Sequence, residues 1–141
     1  MLDADIDLDF RALADFRYQL RKFLAFSEQT ARAVGLEPRQ HQLLLAIRGL
    51  PEDTEPTIAT IAERMALRHH TVVELVDRLE SAGLARRTRD PEDRRRANVT
   101  ITARGNDLLR KLSLAHRDEL RTSAPALVAS LGRVLRSAKK A

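Results

Sequence analysis

Arginine is the residue this chain concentrates where chemistry could be done. Between Leu84 and Arg104 stand Arg86, Arg87, Arg89, Arg94, Arg95, Arg96 and Arg104, against only Asp90, Glu92 and Asp93. Guanidinium groups stay charged at physiological pH and grip phosphate oxygens in pairs, so such a block fits a polyanion. On charge alone a merely solvated face fits as well. Upstream lie Arg68, His69, His70, Thr71, Val73, Glu74 and Arg78. Their donors, acceptors and one apolar group are what reading base edges in a DNA major groove requires. His69 and His70 can donate to guanine or to phosphate, and Thr71 can reach either. Val73 is apolar yet lies off the buried stripe of its helix, so it either meets a thymine methyl or makes a peripheral core contact.

Other chemistries find less support. The histidines are His41, His69, His70 and His116, and there is no cysteine. Adjacent helical side chains such as His69 and His70 diverge by about 100°, a poor start for one metal site, so no metal or other cofactor is expected. Disulfides and thiolate ligands are excluded outright. There is no glycine-rich phosphate loop, no nucleophile elbow and no HExxH spacing, which argues against an enzyme. A metal-responsive regulator and a winged-helix protein-interaction module are the rival readings. The second needs a neutral or acidic surface, which Arg86 to Arg96 argue against.

The elements that must position these residues follow from periodicity. A first helix is expected over about Leu8 to Ala33, with Phe10, Leu13, Phe16, Leu20, Phe23 and Leu24 forming a stripe broader than a lone surface helix needs. Gly35 ends it. Pro38 suits the first turn of a second helix carrying Leu43, Leu44, Ile47 and Leu50. Thr57 is a good N-cap for a short third helix with Ile58, Ile61, Ala62 and Met65. Val72, Leu75, Val76 and Leu79 then recur at i, i+3, i+4, i+7 in a fourth helix that Gly83 closes. A strand from Leu84 to Arg89 and one in which Ala97, Val99 and Ile101 alternate with polar residues flank the turn Asp90-Pro91-Glu92-Asp93. Asp93 is assigned a structural role there, pairing with an arginine to shape the tip. Thr102 caps a fifth helix, and a sixth is expected to begin near Ser123 and Pro125.

This order is mainly α with one two-stranded β-wing. The short helix, the amphipathic helix and the arginine-rich hairpin form one unit, in which the second helix enters the major groove and the first braces it. Arg94 and Arg95, following the turn tip, can project into a narrow, strongly negative minor groove. For Arg86, Arg87 and Arg96 a solvated or phosphate-contacting face is expected instead.

The stretch from Thr71 to Leu84, the wing sequence Asp90-Pro91-Glu92-Asp93-Arg94-Arg95, and Val99-Thr100-Ile101-Thr102 before Gly105 resemble the recognition helix, wing and strand-to-helix junction of the MarR family. The resemblance implies one MarR-like chain over residues 1–141, with a winged helix-turn-helix DNA-binding lobe at 36–104 and dimerisation helices at 8–34 and 105–138. It implies a homodimer that binds a near-palindromic duplex and represses transcription. It further implies a small aromatic or phenolic effector, with Phe16, Leu20 and His41 as candidate contacts. The sequence departs from the family pattern at Arg68, where a Ser cap is common, at Glu37, where a Thr cap is common, and at Glu92, where one version of the wing has Arg.

Composition is compatible with this reading. The 141 residues suit one domain, with 43% apolar residues, 32% charged residues and a formal charge of +5. Asp3, Asp5, Asp7 and Asp9 crowd the start, without the basic-then-apolar layout of a signal peptide. No apolar run reaches the roughly 20 residues of a membrane span, so a cytoplasmic location is expected. The outer helices are more apolar than packing on the lobe requires, which supports a dimer over a monomer whose terminal helices pack on each other.

Overall fold

The computed structural model describes residues 8–93 and 96–137. Its elements are α1 (Phe10–Ala33), α2 (Pro38–Arg48), α3 (Ile58–Met65), α4 (His69–Ser81), β1 (Ala85–Arg89), β2 (Ala97–Ile101) and α5 (Ala103–Ser137). The expected fold class is the one found: mainly helical, with a two-stranded antiparallel sheet. The chain divides into two compact units. One is Ala31–Ser113; the other joins the N-terminal segment up to Thr30 with the C-terminal segment from Leu114.

In the Ala31–Ser113 unit, Leu43, Leu44, Ile61, Val72, Val76, Leu79 and Val99 are fully buried in one cluster to which α2, α3, α4 and β2 all contribute. Each such side chain contributes roughly 1.5–3 kcal/mol by leaving water. That burial holds helices as short as α3 and α4, which are too brief to persist alone.

Local chemistry sets the boundaries. Asp9 Oδ1 accepts the Ala12 N–H at 2.9 Å and caps α1, which begins at Phe10, two residues after the expected start near Leu8. The Gln40 side chain accepts the Glu37 N–H at 2.9 Å, so Glu37 serves at the start of α2 without a threonine. Thr57 Oγ1 accepts the Thr60 N–H at 3.2 Å and caps α3 as expected. The turn into α4 passes through Ala66, whose φ of 54° is left-handed, and the Leu67 N–H returns to the Ala62 carbonyl at 3.0 Å. Arg68 is the N-cap of α4 and makes no side-chain capping bond. Gly83, at φ 75°, reverses the chain out of α4.

The hairpin pairs Ala85 with Ile101, Arg87 with Val99 and Arg89 with Ala97. At its tip Asp90 Oδ1 accepts the Glu92 N–H at 2.9 Å, the aspartate-led turn the sequence suggests. The outer edge of β2 is tied down by the Val99 N–H, which donates to the Pro56 carbonyl at 2.9 Å, and by a bridge between Thr57 and Asn98. Thr102 Oγ1 donates to the Gly83 carbonyl at 2.7 Å and accepts the Gly105 N–H at 3.1 Å, so it caps α5 as expected.

The expected break between a fifth and a sixth helix is absent. α5 runs unbroken through Pro125. Proline removes the donor that would meet the Arg121 carbonyl, a loss of one bond on an exposed face, and Ser123 Oγ donates to the Glu119 carbonyl in the preceding turn.

In the second unit the N-terminal segment and the end of α5 lie antiparallel. Ser27 meets His116 at 2.8 Å, and Asp15 meets Arg133 at 3.9 Å. Phe23 and Phe26 each pack nearly perpendicular to the His116 ring, with centroids at 5.9 and 5.5 Å. This unit leaves Phe10 73%, Val128 66% and Leu135 59% exposed.

Gly105 is the tightest backbone approach. A Cβ there would lie 2.1 Å from the Leu84 carbonyl oxygen and 2.7 Å from Ile101 Cγ2. Gly105→Ala is therefore expected to destabilise the fold by about 1–3 kcal/mol, as overpacked sites do. A chemical denaturation curve with an unchanged midpoint would contradict this.

Candidate nucleic-acid interface

Burial of Val72, Leu75, Val76 and Leu79 turns the remaining side chains of α4 outward. His70, Glu74 and Arg78 recur every fourth residue along one exposed strip. His69, Val73 and Asp77 form the neighbouring strip. His69 and Val73 line an open cleft of about 550 Å³ together with Thr57, Arg87, Arg89 and Arg96. The cleft separates the exposed face of the helix from the hairpin. Arg68 and His69 are exposed, and Thr71 is half-buried.

Val73 makes the peripheral core contact. It packs against the core and leaves part of its surface open to the cleft. Arg94 and Arg95 lie outside the described residues. Asp93 accepts the Arg96 N–H through its main-chain carbonyl at 3.0 Å and is among the residues that line the cleft.

The hairpin arginines divide their tasks in a way their sequence positions do not disclose. Arg86 is exposed. Arg87 is only 20% exposed and is gripped by Glu80 and Asp77 of α4. It is therefore not the solvated or phosphate-facing side chain expected. Arg96 pairs with Glu55, in the loop before α3. Arg104 donates to the Ala82 carbonyl at 3.1 Å, closing the exit of α4. Arg78 on the helix meets Glu37 at 2.9 Å, with both side chains more than half exposed, so the pair is weak and open to exchange. The cationic excess seen within the hairpin is thus partly balanced by acids distant in sequence. No short-range pattern could have announced Glu80, Glu55 and Glu37 as partners.

Phe16 and Leu20 are half-buried in the helical-pair unit, whereas His41 is buried on α2 in the other. Sequence reasoning missed the Phe23–Phe26–His116–Ser27 cluster, because it depends on the register between α1 and α5. Among the described residues, no three His, Asp or Glu side chains gather in a way that could hold a metal ion, and no helix is long and apolar enough to cross a membrane.

Comparison with known proteins agrees with this geometry. The MarR family profile matches residues 34–96, from the end of α1 to the wing tip. The HTH-type transcriptional regulator YcgE of Bacillus subtilis (strain 168) is 34% identical over 116 residues, covering 79% of this chain and 73% of YcgE. The DNA complex of Staphylococcus aureus MepR superposes with a TM-score of 0.64 at 22% identity, covering 92% of this chain and 98% of MepR. BpsR of Bordetella bronchiseptica, whose DNA binding is regulated by 6-hydroxynicotinic acid, superposes with a TM-score of 0.65 at 24% identity, covering 85% of this chain and 92% of that one. At these identities the two solved structures bear on the fold alone. The extent and identity of the match to YcgE, together with the profile over the helix-turn-helix and wing, identify the chain as a member of the MarR family of winged helix-turn-helix transcriptional regulators.

Proposed function

We propose that this regulator is a repressor that binds a near-palindromic duplex operator as a homodimer. The observation that carries the proposal is the pairing, on one lobe, of an outward-facing α4 strip with a cleft lined by wing arginines. Arg68, His69, His70, Thr71 and Glu74 meet base edges and adjacent phosphates in the major groove. Val73 offers its open half to a thymine methyl. Arg78, Arg86 and Arg96 neutralise phosphates, Asp93 shapes the tip, and Arg94 or Arg95 enters the minor groove. A protein with this task acts where the chromosome lies, in the cytoplasm.

Dimerisation is supported by the apolar surface of the helical-pair unit. Leu8, Phe10, Leu13, Leu24, Val128, Leu131 and Leu135 are all at least 40% exposed there, the kind of surface a second copy would cover. Two lobes so joined would read half-sites one helical turn apart, about 34 Å. Release by a small aromatic or phenolic ligand is supported by the family resemblance and by the behaviour of BpsR. Phe16, Leu20 and His41 are the residues assigned to that contact.

Selection of bound duplexes from a random pool would supply the operator on which these claims are tested. Binding to it should fall steeply with salt, with a log–log slope of about −0.9 per phosphate neutralised. Arg94→Ala and Arg95→Ala should each leave the fold intact and cost roughly 1–3 kcal/mol of affinity. A flat salt titration would sink the DNA-binding surface, and full affinity in both variants would remove the wing from it. Light scattering at micromolar concentration should report twice the mass of one chain; a monomer would defeat the dimer.

A further inference from the structure

β1 is an edge strand, and its backbone on the side away from β2 needs partners other than a neighbouring strand. Glu80, in the last turn of α4, supplies one. Its Oε2 accepts the backbone N–H of Arg87 at 2.9 Å, while Oε1 accepts the Arg87 Nε and Nη2 at 3.1 and 3.0 Å. Asp77, one turn earlier on the same face, takes the same Nη2. Most surface ion pairs join two flexible side chains and fix nothing else. This one also binds main chain, so it sets where the strand itself lies against α4. The Arg87 side chain is four-fifths shielded, which spares the contact part of the screening that weakens exposed pairs.

We propose that Glu80 is a positioning residue for DNA recognition, a latch that sets the angle of the wing against the recognition helix so that both reach the duplex together. The proposal rests on the DNA-binding reading above and names the device that coordinates its two contact elements. The opposite edge of the hairpin is fixed independently, through Pro56 and Thr57 to β2. Loss of the latch therefore lets the wing pivot about that edge without unfolding it.

The sign of the effect separates the latch from plain electrostatics. Glu80 is an acid beside a face that meets a polyanion. By Coulomb's law alone its removal strengthens DNA binding and also frees the Arg87 cation. A latch predicts the reverse.

The test measures affinity for the selected duplex, by fluorescence anisotropy at one salt concentration, for Glu80→Ala and Glu80→Gln. Each is made in the native chain and in the Arg94→Ala/Arg95→Ala background, with thermal melts as a check on folding. In the native chain Glu80→Ala should weaken binding roughly tenfold, the scale of coupling between groups in contact. Glu80→Gln keeps an amide oxygen for the Arg87 N–H and should lose less. In the background lacking the tip arginines both losses should shrink several-fold, because fewer wing contacts, those of Arg86 and Arg96, remain to be misplaced. Should Glu80→Ala fail to fold, Glu80→Gln carries the same comparison. Binding equal to or tighter than native in the Glu80 variants, or a loss of equal size in both backgrounds, overturns the latch while the DNA-binding reading stands. Native affinity in the Arg94→Ala/Arg95→Ala protein overturns the wing's role and the latch with it.

Discussion

The burial of one face of α4 constrains everything else in the Ala31–Ser113 unit. Val72, Leu75, Val76 and Leu79 lie at 4% exposure or less. They hold the helix at a fixed rotation about its axis. Because the helical repeat is 3.6 residues, fixing those four also fixes which residues face outward. The remaining elements of the unit serve that orientation. α2 and α3 supply the apolar floor, the Ala66 turn sets the entry into α4, and Gly83 sends the chain back into the hairpin. A polar strip capable of reading a groove results from the core packing without any packing of its own.

Charge is distributed by a second rule. A surface meant for a polyanion carries cations that repel one another when the polyanion is absent, and compactness suffers. Here the repulsion is relieved by acids drawn from other elements: Glu37 for Arg78, Glu55 for Arg96, and Glu80 with Asp77 for Arg87. The three arrangements differ in kind. The pairs of Arg78 and Arg96 are at least half exposed, so screening leaves them cheap to break when phosphate competes. The Arg87 arrangement is shielded and bonded to backbone, so it behaves as framework. One residue type thus stands both open to solvent and locked into the framework within a few positions of the chain, and burial distinguishes the two.

The helical-pair unit shows an opposite economy. Its internal contacts include a histidine packed against two phenylalanines and bonded to Ser27, the long Asp15–Arg133 ion pair, and the fully buried Ala12 and Ser130. Much of its apolar surface is left in water. Burial of that surface in an association would return free energy in proportion to the area covered.

Much of this protein was legible in its amino-acid order, because the governing forces there are short-ranged. The i, i+3, i+4, i+7 spacing on α4 marked its buried face, Thr57 and Thr102 marked two helix starts, and Asp90-Pro91 marked the wing turn. Capping and periodicity act over four residues or fewer, so a reader of the chain has all the terms. Pro125 marks the complementary limit: local propensity opposes a helix there, and α5 nevertheless runs through it. The roles of Arg78, Arg87 and Arg96 were undecidable from sequence, since each depends on a carboxylate brought near by folding, 41 positions away for Arg78 and Glu37. Periodicity decides which side of an element faces water. Only the tertiary structure decides which charges meet, because Coulomb energy depends on distance in space, and the chain records only distance along itself.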